Sequence, residues 1–524
     1  MIITYLGHAG FCVETKETII IMDPWLSPYG AFDSAWFQYP KNHHMGDYVR
    51  DLMNHSPKKK YIYISHEHKD HFDLPFLKTI QNRDFSIILG AFHREIVKEN
   101  LEREHYQCKE IISLKNNEEL CLPDATITLF LIDAELESDS TILLQTKSHK
   151  FLNMNDCKLH EKLPEIINKY KEIDVFAAQY SGAIWHPTCY DYTKKQYEKI
   201  SANKKHIKFE LTARAIETLK PKFYFPSAGP ACFLDPLLLP INFEKLNIFP
   251  RAKELIAYLD TRCKDSLSQW PEIFPGDTLD VSQGKFIKLA KDRVDEKDFK
   301  KYLKGYAKEY ETYFHNRTLE NNKINPEKVF LGLRADLEKK IDQLHLVHTE
   351  ITTPLYWQIE EYPKLYCINF HEKTLSVVDG IVDANNFYHI KAPAWQVNKV
   401  LTKEMNWPDF ALTFRVKLAR NPDVYHTLIH GFLTLDAESL SRLCTLIKNF
   451  HESHERMIIT VNGKRYSVLR FCKHQGADLK EGWLEKSCLV CPRHRWHYDI
   501  LNEGKCTTNL ESIEAICLDE DTNS

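Results

Sequence analysis

Two cysteines and two histidines near the C-terminal end constrain this chain more than any other feature. Cys472 and His474 are separated by one residue, Cys491 and His494 by two, and sixteen residues lie between the pairs. Each pair joins a thiolate to an imidazole, so each belongs on a turn, and the two turns have to face a common centre. A structural zinc site uses the same residue types, but zinc fingers usually hold both cysteines in one knuckle and both histidines in the other. One Cys and one His per knuckle suits a [2Fe–2S] cluster, with the cysteines on one iron and the histidines on the other. Two imidazoles in place of two thiolates raise the reduction potential. Gly476 offers a tight loop after the first pair, and the chain from Arg456 onward reads as short strands and turns, a small all-β domain.

A second signal lies near the N-terminus. The run Tyr61–Ser65 is a strand of β-branched and aromatic residues, and it leads directly into His66-Glu67-His68-Lys69-Asp70-His71. Four such side chains at a strand end can converge on one or two metals; iron, zinc and manganese all accept imidazole and carboxylate, and spacing does not choose among them. Asp23-Pro24 follows the apolar run Ile19–Met22, and Asn155-Asp156 follows Lys150–Asn153.

The first 260 residues alternate short apolar runs with amphipathic stretches, which predicts an α/β layered domain. Strands are expected at Ile2–Leu6, Thr18–Met22, Thr126–Leu131, Thr141–Gln145 and Lys222–Phe225, and helices near Leu159–Ile173 and Ile207–Leu219. Phe299, Tyr302, Tyr306, Tyr310 and Tyr313 recur at three- and four-residue spacing, one face of an amphipathic helix and an aromatic core stripe rather than a cofactor box. Between about 325 and 450, strands at Leu355–Ile359, Leu365–Asn369 and Leu375–Val378 with helices at Trp395–Met405 and Leu440–His451 predict an α+β region. The expected boundaries are 1–260, 261–452 and 453–524.

The C-terminal pattern is the Rieske arrangement. Ala477 and Pro492 stand around the loops in place of the extra cysteines of cytochrome-complex Rieske proteins, so the domain resembles the oxygenase branch. Residues 1–260 resemble the metallo-β-lactamase fold, whose strand-ending loop carries His-x-His-x-Asp-His. The two together resemble the CMP-N-acetylneuraminate hydroxylase family, with Cys472-Lys-His-Gln-Gly476, Cys491-x-x-His494-x-Trp496, Ser148 to Cys157, Tyr180-Ser-Gly182 and Pro226-x-Ala-Gly229 as local matches and Pro422-Asp-Val-Tyr425 as an extension into the middle region. Arg495 stands where common Rieske oxygenases have a glycine. The fold class implied is multidomain: an α/β metallo-β-lactamase-like sandwich, an α+β middle region and a small all-β Rieske domain.

The resemblance also implies a site. Cys472, His474, Cys491 and His494 would hold the cluster, and His66, His68, Asp70, His71, Glu135 and Asp156, or a subset, would hold non-haem iron, one or two ions, with zinc as the alternative. Glu135 takes the slot of an expected histidine, and a late family histidine gives way to Pro226-Ser227-Ala228-Gly229. His8 and His186 are candidates to replace the missing histidines, and equally candidates for substrate contact or plain structure; with Asp70 they form the candidate catalytic set. The Rieske domain lies C-terminal here, whereas it is N-terminal in the family enzyme, so the substrate does not transfer with the fold.

The expected activity is therefore that of a Rieske monooxygenase, hydroxylating or N-oxygenating a small polar metabolite, a CMP-sialic-acid-like nucleotide sugar among them. No nicotinamide- or flavin-binding glycine motif is evident, which implies an external electron donor, a ferredoxin, cytochrome or flavin reductase, with O2 as co-substrate. The rivals are a metal-dependent hydrolase with a Rieske redox sensor and a non-catalytic electron carrier. With 69 basic and 73 acidic residues and a net charge of −4, nucleic acid and anionic membranes are not expected partners. No signal peptide or apolar run of ~18 residues is seen. Fourteen scattered cysteines fit a reducing, cytoplasmic setting.

Overall fold

The computed structural model describes residues 1–134, 137–345, 351–474, 476–493, 495–507 and 511–519. The chain forms two compact units. The first comprises Met1–Thr188, Tyr192–Arg317 and Leu412–Phe414; the second comprises Cys189–Asp191, Thr318–Ala411 and Arg415–Ser524.

The first unit is built on two sheets. One contains β1 (Ile2–Gly7), β2 (Gly10–Glu14), β3 (Thr18–Met22), β4 (Lys59–Tyr63), β5 (Ser86–Gly90) and β6 (Glu110–Leu114). The other contains β7 (Glu119–Cys121), β8 (Ala125–Ala134), β9 (Glu137–Thr146), β10 (Lys150–Asn153), β11 (Val175–Gln179) and β12 (Phe223–Ser227). The strand runs read from sequence fall on these elements, except that β4 ends at Tyr63, short of the expected Ser65, and β12 begins at Phe223 rather than Lys222 and runs on to Ser227. The first sheet takes two further strands, β13 (Thr278–Asp280) and β14 (Lys285–Ile287), giving the order β14-β13-β1-β2-β3-β4-β5-β6. Because Thr278–Asp280 pairs antiparallel with Ile2–Thr4, the unit runs past the boundary expected near residue 260.

The sheets face each other across a core that includes Phe11, Ile20, Tyr63, Ile142, Phe151 and Phe225, all at most 2% exposed. Helices cover both outer faces: His44–His55 and Ile96–Arg103 on the first sheet, Leu163–Tyr170, Lys194–Leu219 and Ala252–Arg262 on the second. That double covering explains why β3, Thr-Ile-Ile-Ile-Met, is apolar without alternation and buried at every position. It runs parallel to β4, Ile20 opposite Tyr61 and Met22 opposite Tyr63, so both strands end at the same edge. The helix Lys194–Leu219 starts well before the expected Ile207, behind a capping box of Thr193 and Gln196.

The aromatic stripe is a core feature as expected, on two helices rather than one. Phe299–Glu309 and Glu311–Asn321 break at Tyr310. Phe299, Leu303, Tyr306 and Phe314 pack with Phe37, Cys232 and Leu234, while Tyr313 is 47% exposed.

The second unit joins the middle region to the C-terminal domain. Its larger sheet contains β15 (Leu355–Ile359), β16 (Leu365–Asn369), β17 (Thr374–Val378), β18 (Phe387–Ala392) and β19 (Lys417–Asn421), in the order β17-β16-β15-β18-β19. Helices Pro326–Asp342, Ala394–Leu401 and Ala437–Glu452 accompany it. Two small sheets follow: β20 (Arg456–Val461), β21 (Lys464–Leu469) and β26 (Ile516–Cys517) form one, and β22 (Trp483–Glu485), β23 (Cys488–Val490), β24 (His497–Asp499) and β25 (Lys505–Cys506) form the other.

Lys340 is 1% exposed in this unit, with its ammonium 3.7 Å from the Trp407 ring centroid and donating to Phe432 O at 3.0 Å. Burial lowers its pKa from 10.5 to about 7 despite Asp336 and Asp436. The unfolded lysine therefore binds more protons than the folded one between about pH 7 and 10.5, and this side chain makes stability rise with pH across that window. Lys340→Met should remove that slope, leaving a urea midpoint by circular dichroism that is flat where the parent's climbs.

Candidate functional site

The edge where β3 and β4 end carries the metal-type residues. Asp23 follows β3 in a left-handed conformation, φ 39°, fully buried. Its carboxylate accepts from the Ser65 N–H at 2.8 Å and the Ser65 hydroxyl at 2.7 Å, and lies 2.9 Å from His71 Nδ1. With Nδ1–H donating to Asp23, His71 presents Nε2 to the site, the orientation such outer carboxylates impose on ligating histidines. His66 is fixed likewise, with Nδ1 3.0 Å from Ser65 Oγ and 3.3 Å from Asp139 Oδ1. Its Nε2 lies 2.8 Å from His68 Nδ1. Two ring nitrogens so close converge on a shared proton or on a cation.

Two groups of ligand atoms result, each with its atoms within 4.8 Å of one another: His66, His68 and Asp156, and His8, Asp70 and His71. His8 Nε2 is 3.0 Å from Asp70 Oδ2, and His71 Nε2 is 3.4 Å from Asp156 Oδ1, so the groups adjoin. His8 occupies the turn between β1 and β2 at φ 51°, after Gly7 at φ 110°. A Cβ on Gly7 would stand 2.5 Å from Asn42 Nδ2, so the turn admits no side chain there. The segment Pro226-Ser227-Ala228-Gly229 holds this turn, since Ala228 N–H donates to His8 O at 3.0 Å.

Three buried atoms of these groups, Asp70 Oδ1, His71 Nε2 and Asp156 Oδ1, find no hydrogen-bond partner among the described residues. An unsatisfied buried polar atom costs about 1–3 kcal/mol. Clustered acceptors of this kind fit a bound cation, so the residues present suit a metal. The electrostatics agree. Burial pulls His71 down, yet Asp156, Asp70 and Asp23 outweigh it and hold the imidazole at about 9. Burial alone would raise Asp70, but His71 and His8 bring it to about 2. Asp156 is likewise driven well below the usual range by His71, His66 and His68 against burial. Asp139 goes the other way, raised by burial to about 6 despite His66.

The structure thus gathers His8, His66, His68, Asp70, His71 and Asp156. His186 is in neither group; its Nε2 lies 3.0 Å from the Tyr192 hydroxyl. Glu135 lies outside the described residues. Asp139 was not foreseen from the sequence, although an acidic residue heading an otherwise buried strand is a recognisable signal. Ser140 ties that strand to the loop, donating to Ser65 O at 2.9 Å, while Tyr63 donates to Ser140 O at 2.8 Å.

In the second unit the two cluster loops share one form. Cys472 N–H bonds Ala477 O and Gly476 N–H returns to Cys472 O; Cys491 N–H bonds Trp496 O and Arg495 N–H returns to Cys491 O. The fifth residue of each loop is left-handed: Gly476 at φ 65°, Arg495 at φ 63°. That is why a glycine suits the Arg495 position; a non-glycine residue there carries about 1–2 kcal/mol of strain. The Arg495 side chain donates to Pro492 O and lies over the Trp483 ring, 4.6 Å from its centroid. A Cβ on Gly476 would fall 1.8 Å from Phe450 Cε1.

Cys472 and Cys491 are at most 1% exposed. Lys473 N–H donates to the Tyr498 oxygen at 3.1 Å, which leaves the phenol proton for Cys472 Sγ, also at 3.1 Å. His474 stacks on Trp496 at 4.4 Å with Tyr425 edge-on at 5.5 Å, and it is only 7% exposed. His494 lies outside the described residues.

The fold and these residues define a two-part protein: residues 2–127 match the Beta-lactamase superfamily domain and residues 446–515 the Rieske [2Fe-2S] domain. The chain is similar to proteins of two kinds among those it matches. One is an iron–sulfur protein of Mycolicibacterium smegmatis named for a Rieske 2Fe-2S group, 27% identical over 97% of this chain and 98% of that one. The other is cytidine monophosphate-N-acetylneuraminic acid hydroxylase of Cricetulus griseus, 24% identical over 81% of this chain and 74% of that one. Among solved structures, CmlA, a diiron beta-hydroxylase from Streptomyces venezuelae, aligns at 14% identity over 53% of each chain with a TM-score of 0.35.

Two outcomes follow from the second layer of contacts. Asp23→Ala should weaken any metal binding in the N-terminal unit about 10- to 100-fold, measured by equilibrium metal titration, with secondary structure retained. Tyr498→Phe should lower the cluster potential by roughly 40 mV, the worth of one ~1 kcal/mol hydrogen bond to sulfur for a one-electron couple, measured by redox titration.

Proposed function

We propose that this chain is a Rieske-type non-haem iron monooxygenase. It takes single electrons from an external donor, a ferredoxin, cytochrome or flavin reductase, and places one atom of O2 into a C–H or N–H bond of a small polar metabolite, with CMP-sialic-acid-like nucleotide sugars the first class to try. The observation that carries this reading is the pair of adjoining ligand groups with Asp70 Oδ1, His71 Nε2 and Asp156 Oδ1 buried and open, in a chain that also bears a Rieske domain. Homology to hydroxylases supports it.

His66, His68 and Asp156 would hold one ion and His8, Asp70 and His71 a second, with Asp156 at their junction. Iron there supplies O2 chemistry, and a cluster on Cys472, His474, Cys491 and His494 supplies electrons singly. Asp23 and Asp139 hold His71 and His66 by Nδ1 and so keep Nε2 turned inward. Trp25, 1% exposed and 5.1 Å from His8, and Phe32, 6.0 Å from His68, exclude water from the flanks.

Protein purified without oxygen should contain two acid-labile sulfides and more than two irons per chain, and show a reduced-Rieske EPR signal after dithionite. His66→Ala should lose only the non-cluster iron and keep that signal; Cys472→Ser should lose the signal; both should cut donor-dependent O2 uptake at least ~100-fold. Zinc in place of the extra iron, with no O2 uptake, would favour the hydrolase with a redox sensor. Absence of sulfide would sink the reading.

A further inference from the structure

A cavity of about 330 Å³ opens beside the metal-type residues, within the size range of small-molecule sites. His8 lines it on one side, so one imidazole belongs both to a ligand group and to the cavity wall. Tyr39, Tyr180, Gly229, Arg251 and Phe299 are among the residues that line the rest.

Four carboxylates, Glu244, Glu254, Glu272 and Glu296, line it together with Lys205, Lys245, Arg251 and Lys253. Lys205 bonds Glu254 at 2.6 Å, Lys253 lies 3.9 Å from Glu272, and Glu244 accepts from the Tyr197 hydroxyl at 2.5 Å. Arg251 makes no ion pair and no side-chain hydrogen bond among the described residues. Its guanidinium lies over Phe299, 3.0 Å from the ring centroid, and burial lowers its pKa although Tyr39, Glu254 and Glu296 act the other way. Tyr180 is 6% exposed, and its hydroxyl also has no partner among the described residues. A Cβ on Gly229 would come within 2.5 Å of that hydroxyl, so the glycine makes room for the phenol itself. A half-buried planar fork of donors, acted on by Glu254 and Glu296 but ion-paired to neither, beside a donor hydroxyl, suits a carboxylate or phosphate.

We propose that this cavity binds the acidic group of the substrate, carboxylate or phosphate, through Arg251 and Tyr180, and that the substrate's remaining part extends toward His8. The metal centre would then act on an anionic small molecule held by its acid end. This rests on the oxygenase reading for the word substrate, but the anion site itself does not.

The test is a thermal-shift titration of the full chain, as purified with its cluster, using inorganic phosphate and acetate in parallel, with choline chloride as the cationic control. One or both anions should raise the melting temperature saturably, and which one does so identifies the acid. Arg251→Gln should weaken that binding about 10- to 100-fold, the loss of a charge-assisted pair, while the EPR signal and iron content stay unchanged. Gly229→Ala, which displaces the Tyr180 hydroxyl, should weaken it independently. Failure of both anions to bind, or unaltered affinity in both variants, overturns the proposal. Anion binding that depends on Arg251, together with no O2 uptake on any acidic compound, upholds the site and sinks the oxygenase reading alone.

Discussion

The buried carboxylate of Asp23 is the contact on which the metal-type edge depends. It gathers a backbone N–H, a hydroxyl and an imidazole from the loop that follows β4, and it does so from the end of β3, the neighbouring parallel strand. A negative charge fully inside a protein persists only with hydrogen bonds of this kind. Here the same bonds decide which nitrogen of His71 faces inward. The parallel pairing brings Asp23 to the loop, and the fully buried apolar run of β3 fixes that pairing, so the chemistry of the edge follows from the covering of both sheet faces.

Much of this was legible in the amino-acid sequence because it is local. A strand running straight into His66-Glu67-His68-Lys69-Asp70-His71 has to present those side chains together at its end, whatever the rest of the fold does. The Cys and His pairs at 472–474 and 491–494 are local in the same sense. What was not legible depends on register or backbone strain. Asp139 reaches His66 only because the β8–β9 hairpin sets Asp139 opposite Ile132, and no sequence spacing records that. His8 reaches Asp70 because a left-handed turn follows a glycine. The strands at 278–287 were missed because they are three residues each and gain their stability from pairing with β1, nearly the whole unit away in sequence.

The two cluster loops show one backbone design filled in two ways. Gly476 meets its left-handed geometry without strain, and the space its missing Cβ leaves is taken by Phe450. Arg495 meets the same geometry with a side chain that folds back on its own loop and on Trp483. The first loop is therefore braced from outside by a helix of the middle region, and the second braces itself. Tyr425, also from the middle region, stands against His474. These contacts give the α+β region a physical role that its sequence did not disclose, as the support of the cluster's first loop and its histidine.

Phe450 bears on how such a protein could be rearranged in evolution. It lies on the helix Ala437–Glu452, and the Rieske domain match begins at residue 446, inside that helix. A Rieske module moved to the other end of a chain therefore has to carry the last turns of this helix with it, or find another aromatic ring to fill the hollow over Gly476. The natural breakpoint for shuffling lies before the helix end, not in the loop after it, and a chain with the opposite domain order should bear a bulky apolar residue just upstream of its first cluster strand.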